Sequence, residues 1–437
     1  MRPRSKLTPE AVTGRNSSTR GHEFGKTGAL RETIGSQTAR FCFQTHGESL
    51  RAVVLTGSLA RDEATLVEER KSWRLLGDAE FLLIFHPRAS LPPKVALGFL
   101  RQNIETSILG LGIAGEVSLS AAHPKYLRSL RPHIFAYELR NCGKVFWGDP
   151  KILTYIPSFS ASDIPLEDGW RLLSNRMVEQ LEALEGLEQR PKVLPRRLLY
   201  RTIKLYLDMA TSFLLFAGEY APSYAERARR LRILADTQPA DDKAPFDLHR
   251  FSDRVSECTQ WKISENELQS PSSAELALES DFSWCEEAVV DARKLWRWEL
   301  ARLAGTTGQA SNKELLERWM KCQPAYRRLR GWLVVLRKEG WHRSWKNWPR
   351  WTRLGWCGSP RDWTYAAASE LFFQLPHPFE PIGQVGQVRG NCETAFVHLP
   401  VVRHAELDLR VLSKPDWQQV ASIVRWNYRR FLEETRS

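Results

Sequence analysis

What most constrains this chain is a change of periodicity near Ser158. Before it, strand-like and helix-like stretches alternate. "LRAVVLTGS" reads as a strand ending at Gly57, "AEFLLIF" as a buried strand and "AGEVSLSAA" as a half-buried one. Between them, "ALRETIGSQTARFCFQT" and "PPKVALGFLRQNIETSILGLG" carry helical spacing, the second with Pro93 near its start and Gly112 near its end. The polar stretch "ARDEATLVEERKSWRLLG" reads as an insertion or a short hairpin. After Ser158, "EDGWRLLSNRMVEQLEALEGLEQ", "RRLLYRTIKLYLDMATSFLLFAGEY", "SYAERARRLRILA" and "DFSWCEEAVVDARKLWRWELARLA" are all helical in period, with no strand between them. The expected fold is α+β: a small mixed-sheet domain over residues 28–157, a helical domain over 158–305, and a basic, Trp-rich, mainly helical region over 306–437. "PKILTYIPSFSASDIP" is the expected linker. Residues 1–27 are expected to be a disordered basic tail, part of it an artefact of an early start codon. The last region includes "NKELLERWMKCQPAYRRLRGWLVVLRKEGWHRSWKNW", and also "SKPDWQQVASIVRWNYRRFLEET" with Ser413 as N-cap and Pro415 in its first turn.

Composition removes several classes. No apolar run reaches the ~18–20 residues that span a bilayer, and the longest candidate is broken by Asp208. The N-terminus lacks the apolar core of a secretory signal, so a soluble, cytoplasmic protein is expected. The seven cysteines are scattered without a C-x-x-C pair, which suggests neither a zinc site nor a disulfide framework. No H-x-x-x-H or H-E-x-x-H pairing and no G-x-x-x-x-G-K-[ST] loop occurs. The net charge of +12 favours anionic partners without choosing among nucleotides, nucleic acid and acidic surfaces.

Chemistry concentrates at one place. Asp78 and Glu80 in "GDAEFLLIF" sit two apart on a strand and therefore project from one face. Paired carboxylates repel unless a cation lies between them, and magnesium is held by one or two carboxylates while water and phosphates complete its shell. Upstream, Gly57 permits close backbone approach, Ser58 adds a hydroxyl, and a helix starting there would aim free N–H groups at a phosphate. Glu116 near the start of the next strand could add a third carboxylate.

Gly-Ser, a strand with two alternating acids and a third acid on a later strand resemble the nucleotidyltransferase superfamily that includes DNA polymerase β. "RPHIFAYELRNCGKVFWGDPKIL" is similar to the end of that domain in its small bacterial members, and "LLFAGEYAPSYAERARRL" to their helical partner domain. The likeness covers roughly Val53 to Leu234, and its second and third acids are Glu where Asp is usual. It implies that Asp78, Glu80 and Glu116 ligate Mg2+ or Mn2+, that Glu116 helps deprotonate an acceptor, and that Gly57 and Ser58 meet an NTP, ATP being the common choice. Arg61 is expected either on the triphosphate or as a surface charge. The implied activity is transfer of a nucleoside monophosphate to a hydroxyl of a small molecule or protein. The alternative is an inactive module of the same fold that binds nucleotide, nucleic acid or a partner protein. Trp341, Trp345 and Trp348 among Arg343, Lys346 and Arg350 read either as a packed helix face, which is favoured, or as a stacking surface for single-stranded nucleic acid.

Overall fold

The computed structural model describes residues 26–69, 72–185, 194–237, 244–263, 282–306, 309–340, 347–375, 398–401 and 417–433, together with Leu187, Pro191 and Ala395. The tail as far as residue 25, Trp341, Trp345, Arg343, Lys346, Ser413 and Pro415 lie outside the described residues. Lys26 and Thr27, expected in the tail, instead open helix α1, Lys26–His46.

Five strands form a mixed sheet: β1 (Leu50–Thr56), β2 (Leu66–Glu69), β3 (Ser72–Phe85), β4 (Ile113–Ala122) and β5 (Lys144–Gly148). The charged stretch after Gly57 is a hairpin, with Leu66 opposite Leu75 and Glu69 opposite Ser72. β3 is consequently 14 residues long, pairing antiparallel with β2 near its start and with β1 near its end. Its other edge takes β4 in parallel, the crossover being α3 (Lys94–Gly110).

Strand alternation divides the sheet's side chains between two cores. Val53, Leu55, Ala79, Phe81, Leu83 and Val117 pack with α1 and α3 through Ile34, Cys42, Leu100 and Ile104. Ala52, Val54, Leu82, Ile84 and Ala122 pack on the opposite face under α4 (Pro124–Ser129) and α5 (Ile134–Cys142), through Leu127, Ala136 and Leu139. The stretch expected as a linker is ordered onto that second face, since Ile152 and Ile156 are fully buried there.

All described elements after Ser158 are helical: α6 (Leu166–Ala183), α7 (Arg196–Phe216), α8 (Tyr224–Thr237), α9 (Leu248–Ile263), α10 (Ser283–Leu303), α11 (Asn312–Cys322), α12 (Ala325–Glu339), α13 (Trp348–Cys357), α14 (Pro360–Phe372) and α15 (Trp417–Tyr428). α7 lies at the centre, with 16 of its 21 residues buried, so it is apolar nearly all round. One cluster of buried side chains runs from Trp170 to Leu432 and draws on α6, α7, α10, α11, α14 and α15. α14, opened by a Ser359–Asp362 capping box, packs Ala366, Ala367 and Ala368 into it without exposure. Among the described residues no helix is long and apolar enough to cross a membrane.

Candidate active site

The site grows from the register of three strands. Thr56 lies opposite Glu80 across β1 and β3, and Asp78 opposite Glu116 across β3 and β4. Alternation puts Asp78 and Glu80 on the face that carries Leu82 and Ile84, and puts Glu116 on the face that carries Ala122. All three carboxylates therefore share one face, beyond the end of the apolar core that α4 and α5 cover. Asp78 and Glu116 are exposed, whereas Glu80 is partly buried. Among the described residues none of the three has an ion pair or hydrogen bond.

β1 ends at Thr56 and runs into Gly57, whose φ of +73° is left-handed and suits glycine. A β-carbon there would stand 3.2 Å from the Glu80 carboxyl, so the turn and this acid are in close apposition. The helix that follows, α2, is a single turn, Gly57–Ala60, shorter than the phosphate-directing helix expected. Burial pushes the Glu80 carboxyl up to about 7, aided by the charge of Asp78 and opposed by Lys204 and Arg61. The three acids align without closing up: among the described residues no three Asp, Glu, His or Cys side chains gather as a metal-holding group. Their chemistry nonetheless suits a hard divalent cation, being all oxygen and unpaired.

Arg61 is not the surface charge that was one of its two expected roles. Its side chain is 7% exposed, and it donates to Glu63 at 3.0 Å and to Glu138 at 2.7 Å. Glu138 on α5 also accepts from Arg227 at 2.5 Å and from the Tyr220 hydroxyl at 2.7 Å. Arg227 donates further to the Ala221 carbonyl, at 2.6 Å, and to Thr211 on α7, at 2.9 Å. Glu63 accepts the backbone N–H of Tyr224 at 2.5 Å, capping the start of α8. Burial alone would raise the Glu138 carboxyl, but Arg61 and Arg227 hold it below the usual range. The Gly-Ser turn is thus tied to the helical region through Arg61, and this guanidinium already serves two carboxylates.

The opposite wall belongs to α7 and α9. A β-carbon on Gly77 would be 3.6 Å from the Tyr200 hydroxyl, and Lys204 lies one helical turn beyond Tyr200. Lys204 is partly buried, and among the described residues its ammonium has no ion pair or hydrogen bond, only the Tyr200 ring at 5.8 Å. The charge of Arg176, then burial, lowers its pKa. Arg176 itself is bound to Asp208 at 2.6 Å and to Glu179, which Arg201 shares. Lys262 at the end of α9 is buried, donates to Thr65 at 2.8 Å, and is brought down to about 7 by burial and the charges of Lys204 and Arg61.

Sequence reading found the acids and the turn but missed Tyr200, Lys204, Lys262, Glu138 and Arg227. One signal was available: within apolar α7, Tyr200, Lys204, Asp208 and Thr211 recur at four, four and three, a polar stripe down a buried helix. Comparison with protein-family models and with curated proteins finds no match for this chain.

Proposed function

We propose that this chain is a divalent-metal-dependent nucleotidyltransferase, moving a nucleoside monophosphate from an NTP, with ATP the first choice, to a hydroxyl of a small molecule or protein. The observation that carries this reading is the set of three unpaired carboxylates in register on one sheet face, with Glu80 against the glycine of the turn that ends β1. Asp78, Glu80 and Glu116 would hold Mg2+ or Mn2+, which when bound neutralises charge on the triphosphate and on the attacking oxygen. Ser58, whose hydroxyl has no partner among the described residues, donates to a phosphate oxygen. Glu116, exposed at the edge of the group, takes the acceptor's proton as its oxygen bonds to the α-phosphorus and the bond to pyrophosphate breaks. Arg61, Glu63 and Glu138 position the turn and do not touch the nucleotide.

Soaking crystals with each NTP and magnesium tests this. The triphosphate is expected to order between Ser58 and Asp78; a nucleotide ordered elsewhere, with this face empty, overturns the reading. A second reading, a non-catalytic module of the same fold, draws support from α12. There Tyr326, Leu329 and Leu333 are exposed beside Arg330 and Arg337, whose side chains are unpaired among the described residues. Such a basic, apolar face suits a partner such as nucleic acid or protein. Pyrophosphate release from NTP that needs magnesium or manganese ends the binding-only reading.

A further inference from the structure

α12 is held to the helical core by one side only. Val335, with Trp332 and Leu336 beside it, packs on Trp351 and Phe431, and a β-carbon on Gly331 would stand 2.8 Å from Pro360. The opposite side carries Tyr326, Leu329 and Leu333, which are 60%, 66% and 65% exposed. Their spacing of three and four sets them on one stripe, at successive a, d and a positions of a heptad, with Arg330 and Arg337 both at e. Trp356 on α13 is 84% exposed and adjoins this helix: a β-carbon on its neighbour Gly355 would lie 3.2 Å from the Trp332 ring, and the carbonyl of its neighbour Cys357 accepts from Arg328 at 3.5 Å. Charge on this surface is one-sided. The described residues from 321 to 357 include eight Lys and Arg but a single acid, Glu339, which Arg430 holds at 2.7 Å. Of the eight, Lys321, Arg330, Arg337 and Arg353 are exposed and have no partner among the described residues.

Stripe and charge together select the occupant. An apolar stripe at a and d spacing is covered by another helix that carries a stripe of its own. The unpaired arginines along its edge call for acids on that helix. A second copy of this chain supplies none. Two such seams packed antiparallel would set arginine against arginine, a parallel pair would set Arg330 and Arg337 beside Ala325 and Trp332, and Glu339 is already taken. Single-stranded nucleic acid would use the rings and the arginines but give Leu329 and Leu333 no apolar surface to meet. We propose that the α12 face, flanked by Trp356, docks an amphipathic helix of a partner protein, whose apolar stripe meets Tyr326, Leu329 and Leu333 and whose flanking Asp or Glu residues meet Arg330 and Arg337. The docking surface goes beyond the nucleotidyl-transfer reading and does not depend on it.

Fluorescence anisotropy with the full chain tests this. The probe is a designed, dye-labelled helical peptide with leucine at a and d and glutamate on the flanks of that stripe. It is compared with a peptide of the same composition in scrambled order, a labelled uridine oligonucleotide and phosphatidylserine vesicles. The glutamate peptide should bind wild type, and Leu329→Ser and Leu333→Ser should each weaken it about tenfold while melting temperatures hold, since both side chains face solvent. Arg330→Glu combined with Arg337→Glu should lose the glutamate peptide and gain one whose flanking residues are lysine, an exchange that misfolding cannot produce. Phe99→Ser on α3, where Phe99 is 65% exposed, removes an apolar side chain elsewhere and should leave binding unchanged. Wild type that ignores the glutamate peptide, or that binds the scrambled one as tightly, overturns the proposal. So does binding through these residues of the oligonucleotide or the vesicles alone. A concentration-dependent dimer that Leu333→Ser dissolves would give the face to a second copy and overturn it as well.

Discussion

Two clusters of charge lie along the polar stripe of α7, and they are built on opposite terms. Near Thr211, Arg227, Glu138, Arg61 and Glu63 are all engaged: each guanidinium meets a carboxylate, and Glu63 caps α8. Near Tyr200 and Lys204, Asp78, Glu80, Glu116 and Lys204 have no partners among the described residues. Burial makes an unpaired charge costly, so the pairing in the first arrangement serves stability, whereas the proposed function gives the second arrangement a ligand to meet. Both clusters bridge the sheet region and the helices, so location alone does not distinguish them. The state of pairing does.

A third buried acid sharpens the contrast. Glu299 on α10 is fully buried, accepts one hydrogen bond from Ser212 at 2.5 Å, and its other oxygen has no partner. Among the described residues it has no ion pair, and burial pushes its carboxyl up to about 8. A raised carboxyl stabilises the folded state fully below its ordinary 4.5, and that contribution is lost as pH climbs toward about 8. The expected loss is about 5 kcal/mol between those limits. Urea unfolding of Glu299→Gln should show that part of the pH slope removed, with the variant more stable than wild type at pH 8.5. Equal slopes in the two proteins would mean that Glu299 is charged and paired.

The next largest effect belongs to the paired cluster. Glu138→Ala leaves Arg61 and Arg227 buried without their shared counter-charge and should cost about 3–5 kcal/mol in urea unfolding. A cost below about 1 kcal/mol would erase the distinction between the clusters. Asp78→Asn, in the unpaired cluster, should by contrast leave metal-free stability within about 0.5 kcal/mol of wild type or raise it slightly, since it relieves like-charge repulsion with Glu80. A large fall would mark Asp78 as structural. Smallest of all, Arg330→Gln with Arg337→Gln should leave stability unchanged to within about 0.5 kcal/mol, as expected for side chains pointing to solvent.

Much of this was legible in the residues themselves. Strand alternation put Asp78 and Glu80 on one face, and the alternation of "GEVSLS" brought Glu116 to that face as well, because the parallel register preserves side. The switch to helices after Ser158 followed from period alone. What stayed hidden depended on partners far away in sequence. Arg61 reads as a triphosphate or surface charge until Glu138, 77 residues on, is seen to meet it. Lys204 reads as one polar residue on a helix until α7 is laid against Gly77. α14 has weak periodicity, with Ala366, Ala367 and Ala368 between buried Trp363, Tyr365, Leu371 and Phe372, and only its place in the helical core explains it. Pro324 divides α11 from α12, and proline at a helix start is a local signal within that basic stretch.

The central claim, that the unpaired acids are a nucleotidyl-transfer site, is met most directly by pyrophosphate release. Each NTP is incubated with the full chain and a mixture of hydroxyl acceptors, with and without magnesium or manganese, for wild type and Asp78→Asn. The account predicts release only with the divalent ion, and a loss of about a thousandfold in Asp78→Asn, whose melting temperature without metal is held. Asp78→Asn releasing pyrophosphate at the wild-type rate would contradict it.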